Sequence, residues 1–120
     1  MGDSASTGRQ GEELAVSYLK QNGYRICERN VRFKRLEIDV VAYDKKRKMI
    51  VFVEVKARSH PSSDYPIRTA VDQRKRRALR QAVAKWVTQH KYEGPGRIDI
   101  VCIGDGKIQE HIMDIGSDFY

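Results

Sequence analysis

LEIDVVAYDKKRKMIVFVEVKAR, residues 36–58, is the stretch on which the fold turns. Two apolar, β-branched runs flank the basic cluster at residues 45–48, the pattern of two strands joined by a tight turn. Inside those runs stand Glu37, Asp39, Glu54 and Lys56, charged groups in segments that otherwise read as core. Strand side chains alternate, so Glu37, Asp39 and Val41 are expected on one face and Ile38, Val40 and Ala42 on the other. On the next strand Phe52, Glu54 and Lys56 are expected opposite Val51, Val53 and Val55. A hairpin turning between Lys46 and Arg47 then sets Asp39 against Glu54 and Glu37 against Lys56. Opposed antiparallel residues hold their Cβ atoms about 4.5–5.5 Å apart, and like charges so placed destabilise the pair unless a proton or cation intervenes.

The residues alone leave two readings open. Lys56 can neutralise one carboxylate, making a cross-strand ion-pair cluster at a sheet edge. Alternatively, a sheet covered on both faces makes a half-satisfied charge cluster costly, and a divalent cation between Asp39 and Glu54 removes the conflict. Oxygen ligands with water and phosphate suit Mg²⁺, and a lysine beside it suits phosphoryl chemistry.

Outward from the hairpin, Leu14, Ala15, Tyr18 and Leu19 recur at helical spacing, with Ser4, Ser6 and Thr7 as capping oxygens and Gly23 as a stop. A first helix over about residues 9–22 follows, behind a flexible tail at 1–8, with residues 9–120 forming one domain. YRICERNVRF adds a strand, and SHPSSDYPI, residues 59–67, is a loop beside the end of the third strand. From Asp72 to His90 the stripe Val71, Ala78, Leu79, Ala82, Val83, Trp86, Val87 predicts an amphipathic helix. Its other face carries Arg74, Lys75, Arg76, Arg77 and Arg80, either a solvated charge run or a phosphate-tracking surface. RIDIVCI and KIQEHIMDI, joined by Gly104-Asp105-Gly106, complete the order αβββαββ, an α/β fold with a mixed central sheet flanked by helices.

The chain has 120 residues, 23 Lys and Arg against 16 Asp and Glu, and a net charge of +7. That balance favours a polyanionic partner, nucleic acid before a membrane surface. Cys27 and Cys102 lack metal-site spacing and sit in apolar surroundings, so buried free thiols in a reducing compartment are expected. The amino-terminal residues show no signal-peptide run, no stretch approaches a membrane span, and a cytoplasmic protein is expected.

The hairpin resembles the PD-(D/E)xK nuclease signature, an Asp, a hairpin and then acid-x-Lys. Successive blocks, GRQGEELAVSYLKQNGYRICERNVR, LEIDVVAYD, VFVEVKAR, AVDQRKRRALRQA and RIDIVCI, resemble the YraN family of small predicted bacterial endonucleases over about residues 8–115. That family is similar to archaeal Holliday-junction resolvases. The resemblance implies a restriction-endonuclease-like core and Mg²⁺- or Mn²⁺-dependent hydrolysis of DNA, structure-directed on branched or recombining molecules. Carried over residue by residue, it makes Asp39 the central metal ligand and Glu54 the second. The Val55 carbonyl is a further ligand, Glu12 is the first-helix carboxylate following Gly8, and Lys56 positions water or stabilises charge. Glu37 is a supporting ligand or the partner of Lys56, and Lys75, where the family commonly has a lysine, is expected to approach the site itself. The basic helix, with Lys46 and Arg47 of the hairpin turn, is expected to grip the DNA backbone, and a homodimer suits a four-way junction. Ile38 stands in place of the signature proline, and Leu36 in place of the family's usual glycine. The rival expectations are a non-catalytic nucleic-acid-binding module on the same scaffold and a basic protein-binding adaptor.

Overall fold

The structure, a computed structural model, describes residues 4–58 and 73–115, with side chains over 9–57 and 74–115. The elements are α1 (Ser4–Gln21), β1 (Tyr24–Phe33), β2 (Leu36–Asp44), β3 (Met49–Arg58), α2 (Gln73–His90), β4 (Gly96–Gly104) and β5 (Lys107–Ile112), in the expected order. Helix α1 starts at Ser4, inside the span expected as a tail. Ser and Thr cost only tenths of a kcal/mol each within a helix, about 0.5 on common scales, so the residues read as caps extend it instead. The expected loop at 59–67, together with Val71 and Asp72, lies outside the described residues.

The five strands form one sheet in the order β1-β2-β3-β4-β5. Neighbours are antiparallel except β3 and β4, which run parallel because the connection between them crosses over through α2. Each face is covered by one helix. On one side Ala15, Val16 and Leu19 of α1 pack with Val40, Ala42, Val51, Val53 and Val101. On the other, Leu79, Ala82 and Trp86 of α2 pack with Ile38, Val41, Phe52, Ile98 and Ile100. Strand β4 is buried from Arg97 to Gly104, as a two-sided central strand should be.

Two expectations are corrected. Ile38 packs in the α2-side core with Val41, while Val40 and Ala42 lie in the α1-side core, so strict alternation fails at Asp39. The partner strand shows why: Asn30, between Arg29 opposite Val40 and Val31 opposite Ile38, has φ 54° and interrupts the ladder there. Cys27 is exposed and Cys102 is buried, and neither is in a disulfide. The register of β1 shifts between Ile26 and Glu28, and the extra residue, Cys27, is turned out of the apolar pattern.

Candidate active site

The β2–β3 hairpin has the expected register, with Asp44 opposite Met49 and Val40 opposite Val53. Beyond Val40 the two backbones cease to pair. The Val55 N–H instead donates to Asp39 Oδ2 at 2.8 Å, so a side chain replaces the next rung. This places Asp39 against Glu54. Burial, followed by the Glu54 charge, pushes the Asp39 carboxyl up, the Val55 N–H only partly opposes this, and the result is about 7. Glu37 adds to the same negative field. A buried pair of carboxyls that repel one another favours a neutralising proton or cation between them.

The cation that answers it is Lys75 of α2. Its Nζ lies 3.1 Å from Glu54 Oε1, with the Glu54 side chain only 6% exposed and Lys75 47%. Burial would lower the Lys75 ammonium, but Glu54 first, then Asp39 and Glu37, outweigh it and raise it. Lys56, the neutralising partner in one of the two readings of the hairpin, forms no ion pair with Glu54 or Glu37. Val55 touches the site through its N–H.

Glu12 has other company. Arg29 Nη2 approaches Glu12 Oε1 at 3.0 Å and also grips Glu13, and Asn30 Nδ2 donates to Glu12 at 3.1 Å. The first-helix carboxylate is thus tied to β1, and among the described residues no three His, Cys, Asp or Glu side chains converge on one metal position. The donor set that does converge, Asp39 and Glu54 with the field of Glu37, suits Mg²⁺ all the same. That ion keeps most of its water and commonly takes one or two carboxylates plus phosphate oxygens.

The basic groups divide. Arg74, Lys75, Arg77 and Arg80 are exposed on α2, with Arg76 half-buried. Lys46 and Arg47 lie at the opposite end of the hairpin, beyond Asp44, which is itself five residues or about 17 Å along β2 from Asp39. Arg47 is also partly committed, its Nη1 3.2 Å from Asp44 Oδ2. Leu36, in the glycine's place, pairs with Phe33 where the β1–β2 hairpin closes and packs on the α2-side core.

A second polar cluster escaped the sequence reading. Arg97 Nη1 donates to Asp44 Oδ2 at 2.8 Å, its Nε and Nη2 donate to the two oxygens of Asp99 at 2.9 and 3.0 Å, and Nη2 also meets Tyr24 Oη at 2.8 Å. His111 Nε2 lies 2.8 Å from Asp99, and its Nδ1 lies 2.8 Å from Tyr18 Oη. Burial would raise both carboxyls. Arg97, with the Arg47 N–H, outweighs it and brings Asp44 to about 2; His111, Arg97 and the Asp114 N–H outweigh it at Asp99 and lower it. Each charge is paired inside the fold, which is the chemistry of a structural network. Arg97-x-Asp99 within a buried strand carried the signal, the same base-and-acid spacing as Glu54-x-Lys56.

Among the described residues no helix is long and apolar enough to cross a membrane. Residues 11–103 match the uncharacterised protein family UPF0102. A UPF0102 protein of Pelobacter propionicus is 39% identical over 117 residues, covering 93% of this chain and 83% of that protein. One of Thermotoga maritima is 44% identical over 93 residues, covering 78% and 82%. Among solved structures, a repair endonuclease from Pyrococcus abyssi is similar with a TM-score of 0.47 and 15% identity over 88% of this chain and 41% of that one. An EndoMS–dsDNA complex gives 0.47 and 15% over 78% and 37%. This chain spans about two fifths of each of those two chains.

Proposed function

The chain belongs to the UPF0102 family, and from that premise we propose that it is a metal-dependent DNA endonuclease with a restriction-endonuclease-like core. The observation that carries the reading is the Asp39–Glu54 pair. Two carboxylates are pressed together at the point where the hairpin ladder opens, at a cost that a divalent cation removes.

In this reading Asp39 and Glu54 hold Mg²⁺ or Mn²⁺, with Glu37 supporting and the Val55 carbonyl and Glu12 as further candidates. The bound ion supplies Lewis-acid polarisation of the phosphate and a water of lowered pKa. The Val55 N–H fixes the rotamer of Asp39, so the ligand is preorganised by the backbone rather than gathered from solvent. Lys56, two residues after Glu54 on the same strand, is the group for orienting the attacking water or stabilising phosphoryl charge. Arg74, Arg76, Arg77 and Arg80 carry the DNA backbone along α2, toward the helix end where Lys75 meets Glu54. Branched DNA is the proposed substrate, and a dimer the proposed form on a symmetric junction.

One observation favours a second reading, a DNA-binding module without catalysis: Lys75 already completes Glu54 without a metal. The deciding experiment is cleavage of labelled linear duplex, single strand, flap and four-way junction with Mg²⁺ or Mn²⁺, beside Asp39→Asn. Metal-dependent cutting that is lost in the variant is the expected result. Binding by both proteins with cutting by neither would leave the module.

A further inference from the structure

We propose that Lys75 is the resident counter-cation of the carboxylate pair, occupying the seat of the divalent metal, so that metal loading and departure of this ammonium are a single exchange. The inference rests on the metal-dependent reading above and assigns that site a built-in competitor.

The geometry is asymmetric in a way that suits exchange. Glu54 is nearly inaccessible, whereas Lys75 is about half exposed on the first turn of α2, with its Nζ 3.1 Å from the buried oxygen. The enclosed partner is the acid, and the more accessible one is the base. A lysine ammonium is a point charge on a four-carbon stem with three rotatable donors, so it leaves one oxygen without dismantling a planar, two-point contact of the kind arginine makes. The other lysine within reach in sequence, Lys56, makes no ion pair with Glu54, so the counter-charge here comes from α2 and not from the strand.

A dication shared by Asp39 and Glu54 would sit about 2.1 Å from their oxygens. An ammonium still bonded to Glu54 would then face two positive charges across a few ångströms of partly buried space, where repulsion is poorly screened. Both cannot hold Glu54 together. Exchange leaves Glu54 with a cationic partner before and after loading, which limits the cost of the metal-free fold while leaving the seat open to a competitor of higher charge. The freed ammonium, on the helix that carries Arg74 and Arg77, becomes available to a phosphate.

The test is Mn²⁺ binding to the full chain without DNA, followed by calorimetry and by the electron paramagnetic resonance signal of free Mn²⁺, at fixed pH and ionic strength. Lys75→Gln should bind Mn²⁺ more tightly than wild type, by roughly two- to fivefold, the scale of a half-exposed ion pair. Lys75→Arg, which keeps the charge in a two-point grip, should bind no more tightly than wild type. Equal or weaker binding by Lys75→Gln overturns the proposal while leaving the metal site standing. If wild type shows no Mn²⁺ binding that Asp39→Asn abolishes, the metal reading itself falls, and this inference falls with it.

Discussion

Asp39 is held in the fold at a carboxyl value of about 7, well above its ordinary 3.8, and this makes it a liability to the metal-free protein at neutral pH. Between those two values the folded state binds more protons than the unfolded one, so stability contributed here is present at low pH and lost as pH rises through 7. The metal-free protein should therefore lose thermal stability between pH 5 and pH 8 through this group. Asp39→Asn removes the charge and retains a side-chain oxygen for the Val55 N–H. At pH 8 the variant should melt above wild type by about 5 °C, the shift expected for about 1 kcal/mol in a domain of this size. Melting curves of the two proteins at pH 5 and pH 8 decide it; a variant that melts lower at pH 8 would mean the pair is not strained. Asp44 behaves with the opposite sign. Its value of about 2 means that its stabilisation is complete above the unfolded 3.8 and is lost as pH falls through 2. Acid unfolding of wild type beside Asp44→Asn should show the variant less stable by about 2 kcal/mol at pH 5, with the gap closing toward pH 2.

Between elements, α1 comes close to β3 at Gly11. A Cβ on Gly11 would stand 2.8 Å from Ala57 Cβ, and neither atom can rotate away from its backbone. Gly11→Ala gains about 1 kcal/mol of helix propensity but forces α1 off the sheet at an overpacking cost of about 1–3 kcal/mol. Chemical denaturation should show a net loss of stability despite the better helix former. The basic elements yield a separate test. Arg74→Glu with Arg77→Glu on α2 should weaken DNA binding at least tenfold and reduce its salt dependence, whereas Lys46→Glu at the far turn should do much less, as measured by binding at several salt concentrations. Periodicity made the helices and strands readable, and the Lys46–Arg47 turn centre fixed the register that brings Asp39 to Glu54. Three local facts were not readable. The bulge at Cys27 and the positive φ of Asn30 leave no mark on a hydrophobic pattern. The pairing of Lys75 with Glu54 depends on where α2 docks: the family resemblance brought a lysine at 75 toward the site, but spacing along the chain could not name Glu54 as its partner.

Over the whole molecule, the same charge pattern in buried strands serves two ends. Glu54 and Asp39 lie where the ladder opens and α2 offers an exposed lysine, while Arg97 and Asp99 lie in a strand covered on both faces with every charge met. Sequence spacing could not separate them, because the difference lies in the strand neighbours: β2 stops pairing with β3 at Val53, just before Glu54, whereas β4 lies between β3 and β5. Removing one partner of the closed network strands the others: Asp99→Asn should cost about 3–5 kcal/mol in equilibrium unfolding, several times the effect of any exposed α2 arginine. Asp44 and Arg97 are 53 positions apart, yet each depends on the other. During synthesis at about 5–20 residues per second, β2 and β3 leave the ribosome on the order of 3–10 s before the guanidinium that Asp44 requires. Throughout that interval the apolar edge of β3 that β4 will cover stands open, so the nascent chain is most vulnerable to aggregation after its hairpin exists and before its fourth strand emerges.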